Sequence, residues 1–355
     1  MIRKGLMAAP ALLALGACGG GDGSGGGSSG VNVVTTPPAA APSPTATTTP
    51  TPSPTATATP TPTPVGTPTP APAGFSAQVA ALYDVAPDPA NCRAGTLKAS
   101  VKADALARLN AIRALHNLSP VTYSDAEDAQ EAESSLMQAV NRTLSHTPPT
   151  SWTCYSPAGA AAAGASNLIG GWGNGLGYST EDDYMATWLN EGGSASIGHR
   201  RWLLSPFLGK ISYGRVAYQS ASGDRVSTAS LRVFNFAAAP PLPGSVPSFV
   251  AYPFNDYPQR YFRPGDYLSF SAVPYGGGSF GANANVSFAR ATITVTGPSG
   301  ALPVTDVSYD NGGYGVANSV QWRVTGLALG TSYTVRISGV TGTAQAEYSY
   351  TFRIS

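Results

Sequence analysis

The clearest structural signal in the chain is carried by residues 179–204, which read STEDDYMATWLNEGGSASIGHRRWLL. The Ser-Thr pair predicts the start of a helix, and the three acidic residues after it would lie at the positive helix end. This helix would carry Tyr184 and Trp188 and would end at the Gly-Gly pair. A short Gly-His-Arg-Arg-Trp block then follows at residues 198–202.

Two more helices are predicted upstream, and strands are predicted downstream. Leu106, Leu109, Ile112 or Arg113, and Leu115 mark one helix over residues 103–117. A capping box at Ser124-Asp125-Ala126-Glu127 opens the next, with the apolar stripe Ala129, Ala132, Leu136, Val140 and Leu144. Strand-like stretches follow at 209–214, 215–218 and 229–236. Helices before short strands, without a βαβ rhythm, indicate an α+β fold in which helices flank an antiparallel sheet.

Beyond Pro240-Pro241-Leu242-Pro243 the pattern changes to strict alternation. Apolar and polar residues alternate at 292–296, 333–337 and 348–354, separated by Gly, Pro, Asn and Asp turns. This pattern predicts an all-β sandwich with Trp322 and Leu327 in its core. Leu329-Gly330-Thr331-Ser332-Tyr333 resembles the turn into a late strand of immunoglobulin-like or fibronectin-type modules, which implies an immunoglobulin-like sandwich. Such a region would act as a spacer, and exposed Tyr252, Tyr257 and Tyr261 leave carbohydrate or protein binding open.

The first 75 residues have the composition of an export leader followed by a linker. Arg3 and Lys4 precede an apolar stretch, 6–15, that is too short to span a bilayer. Gly and Ser fill residues 19–30, while Thr, Pro and Ala fill 35–72, so this part is expected to be a disordered stalk. Only 11% of the residues are charged, with a net charge of +1, which argues against nucleic acid as a partner.

Leu15-Gly16-Ala17-Cys18 resembles the lipobox of bacterial lipoproteins. The resemblance implies a signal peptide at 1–17, a lipid on Cys18 and a membrane anchor through that lipid. Gly19 after the cysteine implies the outer membrane. With Cys18 acylated, Cys92 and Cys154 remain to form a disulfide in an oxidising compartment.

Five pieces of the first folded region, in order, carry a family pattern. They are Leu109-Asn110-Ala111-Ile112-Arg113 with Leu118-Ser119-Pro120-Val121, then His146, Ser166-Asn167-Leu168-Ile169, Trp188-Leu189-Asn190-Glu191, and Gly198-His199-Arg200-Arg201-Trp202-Leu203-Leu204. Together they resemble the CAP superfamily, also called the SCP or pathogenesis-related-1 domain. The last block and His146-Thr147-Pro148-Pro149 resemble its bacterial branch. The resemblance implies a CAP-type α-β-α sandwich.

The resemblance also implies a cleft in which His146, Glu191 and His199 come together. The family has a second Glu at the position of Ser166, so one carboxylate of its metal-binding tetrad is missing. Two His and one Glu can still ligate Zn²⁺, which makes these three the candidate metal ligands. The alternative is that both His are buried, hydrogen-bonded and neutral. A nucleophilic Ser166–His–Glu191 arrangement is a further candidate without a visible oxyanion hole.

Four other features have ordinary structural readings. His116 would be a solvated or capping residue at a helix end, and Arg200 and Arg201 would pair with the acids at the start of the 181–191 helix. The glycine-dense stretch 170–177 would form a mobile rim of the cleft.

These patterns predict four segments: a signal peptide at 1–17, a lipidated linker at 18–75, a CAP domain at 76–240 and a β-sandwich at 241–355. Two functions follow from them. The first is an envelope-displayed binding module for a small amphipathic ligand, a lipid, cell-wall material or a protein partner. The alternative is a metal-assisted hydrolase that uses His146, Glu191 and His199.

Overall fold

Thr180 caps a helix where the 179–204 stretch predicts one. In the computed structural model, the Thr180 hydroxyl accepts the backbone N–H of Asp183, and the Asp183 carboxylate accepts the backbone N–H of Thr180. Helix α5 (Glu181–Asn190) therefore starts with a complete capping box. The helix ends at Asn190, and Glu191 follows it in the left-handed conformation, just before the Gly-Gly pair at which the helix was predicted to end.

The structure describes residues 13–15, 74–192, 194, 196–235, 246–274 and 280–355. All of them belong to one compact unit. Cys18, most of the predicted leader, the predicted stalk up to residue 73 and the predicted boundary at 240–243 lie outside the described residues. No helix in the described part of the chain is long and apolar enough to cross a membrane.

Six α-helices are described. They are α1 (Phe75–Ala80), α2 (Ala99–Leu115), α3 (Asp128–Asn141), α4 (Pro157–Gly164), α5 (Glu181–Asn190) and α6 (Gly198–Leu203), with 3-10 turns at Pro89–Asn91, Asp125–Glu127 and Phe280–Asn283. The helices predicted around 103–117 and after Ser124 are confirmed as α2 and α3. The capping box predicted at Ser124 is wrong, because its hydroxyl donates to the Glu127 carboxylate and this segment forms a 3-10 turn.

The first region is built on an antiparallel sheet in the order β1-β5-β8-β7. Its strands are β1 (Leu13–Leu15), β5 (Ser166–Gly173), β7 (Tyr213–Gln219) and β8 (Arg225–Arg232); two small ladders join β2 (Tyr83–Val85) to β3 (Thr96–Leu97) and β4 (Thr122–Tyr123) to β6 (Lys210–Ile211). Adjacent residues of β8 show that both sheet faces are covered. Thr228 bonds the Ser135 carbonyl of α3, while Ser227 bonds the hydroxyl of Tyr184 on α5. The predicted α-β-α sandwich is confirmed.

Gly214 on β7 allows α3 to pack directly on the sheet. A Cβ at this position would lie 2.2 Å from the carbonyl carbon of Glu131. Only a residue without a side chain permits so close an approach of two backbones.

The glycine-dense stretch predicted to be a mobile rim is mostly a strand. Gly170, Gly171, Trp172 and Gly173 pair with residues 225–228 of β8 in the interior of the sheet. A Cβ on Gly170 would lie 3.2 Å from Leu144, so small residues here let the segment after α3 pack on β5. The prediction was wrong because glycine marks close packing here and not a loop.

The second region consists of two sheets, in the orders β10-β17-β16-β12-β13 and β14-β15-β11-β9. Their strands are β9 (Phe249–Tyr252), β10 (Asn255–Tyr257), β11 (Leu268–Ala272), β12 (Thr292–Gly297), β13 (Gly300–Leu302), β14 (Val304–Asp310), β15 (Ser319–Val324), β16 (Ser332–Ser338) and β17 (Glu347–Ile354). In β17 exposed and buried residues alternate throughout, as the period-two pattern predicts. Trp322 and Leu327 are buried as predicted.

Cys92 and Cys154 form the predicted disulfide, with their Cα atoms 5.2 Å apart. It ties the segment before β3 to the segment between α3 and α4. This pairing fits an oxidising compartment.

Candidate functional site

Glu191 and His199 form a closed pair at the junction of α5 and α6. Both are almost fully buried, with exposed fractions of 3% and 2%. Glu191 Oε1 accepts two hydrogen bonds of 3.0 Å, one from the backbone N–H of His199 and one from its Nδ1. Since a carboxylate oxygen can only accept a hydrogen bond, His199 Nδ1 carries a proton and donates it to Glu191.

Two polar atoms of this pair have no partner. Within the described residues, His199 Nε2 and Glu191 Oε2 are buried and form no hydrogen bond. Buried polar atoms are normally hydrogen-bonded, so both atoms are exceptions to that rule.

His146 contacts a different element. Its Nδ1 lies 2.8 Å from the Ala163 carbonyl of α4, to which it must donate. The ring is half-buried beside the α3–α4 layer. The structure thus pairs Glu191 with His199 and joins His146 to α4.

The expected zinc site can be tested on these donors. A catalytic zinc site takes three protein ligands. Across the described ranges, no group of three or more His, Cys, Asp or Glu is arranged to hold a metal ion. The residues present therefore do not fit a three-ligand zinc centre, and we derive no reaction step through one.

Ser166 faces a carboxylate that the sequence did not single out. Its hydroxyl donates to Glu131 Oε2 at 2.8 Å, and Ser230 donates to the same oxygen. Arg232 lies 3.6 Å from the other oxygen. Burial raises the pKa of Glu131 to about 7, and these three neighbours partly oppose that rise.

The side chain of Ser166, the first residue of β5, lies on the opposite face of the strand from His199. Ser166 contacts α3 through Glu131, whereas the side chain of the next residue, Asn167, donates to the backbone carbonyl of His199 at 3.1 Å. Successive side chains of a strand point to opposite faces. Ser166 is therefore bonded within the α3 layer and is not paired with a histidine there.

The sequence did not predict that Glu131 is buried, because the apolar residues of α3, including its alanines, indicated a different buried face. The buried face instead includes Glu131, Ser135 and Gln138, at helical positions i, i+4 and i+7. A polar stripe at helical spacing was the available signal.

Residues 106–229 match the model of the CAP family, described as the Cysteine-rich secretory protein family. This region is a CAP domain. The match begins in α2, ends in β8 and includes His146, Ser166, Glu191 and His199. No curated protein sequence matches the chain.

Arg200 and Arg201 are neighbours in α6 of the CAP domain, and both bind the second region. Arg200 donates to the Tyr267 carbonyl at 2.8 Å, and its guanidinium lies 3.8 Å from the centre of the Tyr252 ring. Arg201 donates to both carboxylate oxygens of Asp310 at 2.9 Å. The predicted pairing of these arginines with the acids of α5 is wrong.

The acids of α5 are taken by the second region instead. Arg260 forms ion pairs with Asp182 and Asp183, and the Tyr261 hydroxyl donates to Asp182. The sequence could not predict Arg260 as the partner of these acids, because it lies about 80 residues downstream in the second region.

His116 joins the CAP domain to the second region at another point. It occupies the C-cap of α2, but it is buried, with Nδ1 donating to the Ala251 carbonyl and Nε2 accepting from the Tyr257 hydroxyl, both at 2.9 Å. Burial lowers its pKa to about 3, so the ring is neutral. The solvated role predicted for His116 is wrong, and so is the exposed patch predicted for Tyr252 and Tyr257, which are both buried.

Proposed function

We propose that this chain is a lipid-anchored CAP protein of a bacterial cell envelope whose CAP domain binds a small amphipathic ligand or partner. The domain is of a type found in extracellular proteins. The observation that carries the proposal is the closed Glu191–His199 pair, with its two unpartnered buried atoms.

The closure of this pair favours binding over catalysis. A general base must come within hydrogen-bond distance of the proton that it removes. Glu191 Oε1 already accepts two N–H groups of His199, so this oxygen is not free to remove a proton from a substrate. These bonds tie the C-terminal end of α5 to the first turn of α6.

The unpartnered atoms indicate what kind of ligand group would bind. A hydroxyl or amide group can donate to Nε2 or Oε2 and remove the cost of leaving them unsatisfied, about 1–3 kcal/mol each. The remainder of such a ligand would be apolar, to match the apolar core residues that α5 and α6 supply, such as Trp188, Leu189 and Leu203. An amphipathic molecule with a small polar head has this chemistry.

Mass spectrometry of organic extracts, combined with zinc analysis of the same sample, tests the proposal. We expect the purified full-length protein to release one stoichiometric organic molecule, which is absent from His199→Ala. Arg336→Ala is the matched control, since it removes one residue of an exposed ion pair elsewhere and should retain the molecule. A clean extract together with stoichiometric zinc that disappears in His199→Ala would instead establish the metal-assisted hydrolase.

Envelope display is tested separately through Cys18. We expect wild-type protein to incorporate labelled palmitate and to sediment with outer membranes. Cys18→Ser should lose both the label and the membrane association, because the lipid is the proposed anchor. Labelling that continues in Cys18→Ser would rule out the lipoprotein assignment.

A further inference from the structure

A cavity of about 440 Å³ opens between α2 and the start of α5, away from the Glu191–His199 pair. It is lined by Leu82, Ser100, Val101, Asp104, Arg108, Tyr178, Thr180, Glu181 and Asp182. Its volume lies in the range of about 300–1,000 Å³ that small-molecule sites occupy.

One wall is a polar row along α2. Ser100, Asp104 and Arg108 follow one another at intervals of four residues, so they share a helix face. Arg108 Nε donates to Asp104 at 3.1 Å. Ser100 and Arg108 are both exposed, and the side-chain hydrogen bond of Arg108 within the described residues is made through Nε, so this wall presents solvent-facing donors.

The other wall already has its charges balanced. Glu181 is bonded by the buried Arg215 at 2.6 Å, and Asp182 is paired with Arg260. Asp104 is in turn paired with Arg108 across the α2 row. A charged ligand would have to displace one of these ion pairs, whereas a neutral ligand would leave them intact.

The remaining surfaces are apolar and aromatic. Leu82 and Val101 are buried at the base of the cavity, and the half-buried Tyr178 ring forms part of its side. The Tyr261 hydroxyl donates to Asp182 at 2.5 Å, which gives this lining carboxylate a second partner. Tyrosine combines an apolar ring with a hydroxyl, which suits the alternating apolar and hydroxyl surfaces of a sugar.

We propose that this cavity binds a neutral carbohydrate of one or two rings. The sugar hydroxyls would accept from Arg108 and Ser100 and donate to Asp104, while a ring face packs on Tyr178. This site is independent of the Glu191–His199 pair and does not require the proposed amphipathic ligand.

Titration calorimetry on the full chain tests the site. The probes are the neutral disaccharides cellobiose, maltose and N,N′-diacetylchitobiose, with glucose 6-phosphate and glucosamine as charged comparators. We expect at least one neutral probe to bind with a Kd below about 1 mM. Arg108→Ala should weaken that binding at least tenfold.

Two variants make the result specific. Arg336→Ala also removes an arginine from an exposed ion pair, but outside the cavity, and should bind the sugar as wild type does. His199→Ala should also bind it normally, which separates this site from the proposed function. No heat from any neutral probe at about 10 mM, preference for a charged comparator, or an equal effect of Arg108→Ala and Arg336→Ala would overturn the proposal.

Discussion

Arg201 and Asp310 lie 109 residues apart in the chain, and Nη1 of Arg201 is 2.9 Å from both carboxylate oxygens of Asp310. The same guanidinium donates to the Val316 carbonyl at 3.0 Å. The backbone carbonyl of Arg201 faces Gly315, where a Cβ would lie only 2.0 Å away. The motif that marks the CAP domain in sequence is therefore also its attachment to the second region.

Truncating Arg201 should destabilise the whole folded unit. Arg201→Ala removes the bonds to Asp310 and Val316 from a side chain that is only 4% exposed. Hydrogen bonds to charged groups contribute enough that we expect a loss of about 2 kcal/mol in the free energy of unfolding. Urea denaturation gives this value, with Arg336→Ala as a control expected to change it by less than about 0.5 kcal/mol. Equal effects of the two variants would contradict the role of Arg201.

Replacing Gly214 should separate α3 from the sheet. In Gly214→Ala the new Cβ meets Glu131 backbone at 2.2 Å, so the helix must move. We expect destabilisation of about 3 kcal/mol or more, measured by thermal or urea unfolding. Gly177→Ala is the matched control, because nothing lies within 4 Å of its Cβ. A Gly214→Ala protein as stable as Gly177→Ala would disprove the close approach.

Glu131 should make stability depend on pH. Its pKa rises to about 7 in the folded protein, so between about pH 4.5 and 7 the folded state binds more protons than the unfolded state. Stability should therefore fall as pH rises through this window, by up to about 3 kcal/mol. Glu131→Gln keeps the shape and removes the titration, so its stability should change less between pH 5 and 8.

Urea unfolding at several pH values would compare the two proteins. Arg232 lies 3.6 Å from the other carboxylate oxygen and lowers the pKa of Glu131, which limits the effect. Parallel pH profiles for wild type and Glu131→Gln would show that Glu131 does not titrate in this window.

Loss of the disulfide should destabilise the CAP domain. The bridge closes a loop with a sequence separation of 62 residues, which corresponds to about 4 kcal/mol in the chain-entropy model. We expect the double variant Cys92→Ser, Cys154→Ser to unfold at a clearly lower temperature. Cys18→Ser removes a cysteine that is not in the bridge and should leave the melting temperature unchanged. A double variant as stable as wild type would contradict a structural role for the bridge.

Local patterns predicted most of the fold. The apolar spacing of α2, the start of α5 and the alternation in β17 depend on neighbouring residues, so they can be predicted from a short window of sequence. For α2 the sequence left open whether Ile112 or Arg113 faces inward, and both are buried, because Arg113 donates to the carbonyls of Leu203 and Ser205.

The candidate site was predictable only in part. The family pattern pointed to Glu191 and His199, which are paired, because they lie only eight residues apart in the chain. It did not point to Glu131, whose role depends on Ser166 and Ser230 from two different strands.

The sequence by itself determined the start of α5, the strand alternation, the cysteine pairing and the CAP identity of residues 106–229, since each rests on local spacing or on a motif order. The tertiary structure alone decided which groups the buried polar and charged side chains bind. Arg200, Arg201 and His116 all turn to the second region, and Asp182 turns to Arg260. A buried charge is satisfied by whichever group the folded chain brings within about 3 Å, and that group can be distant in sequence.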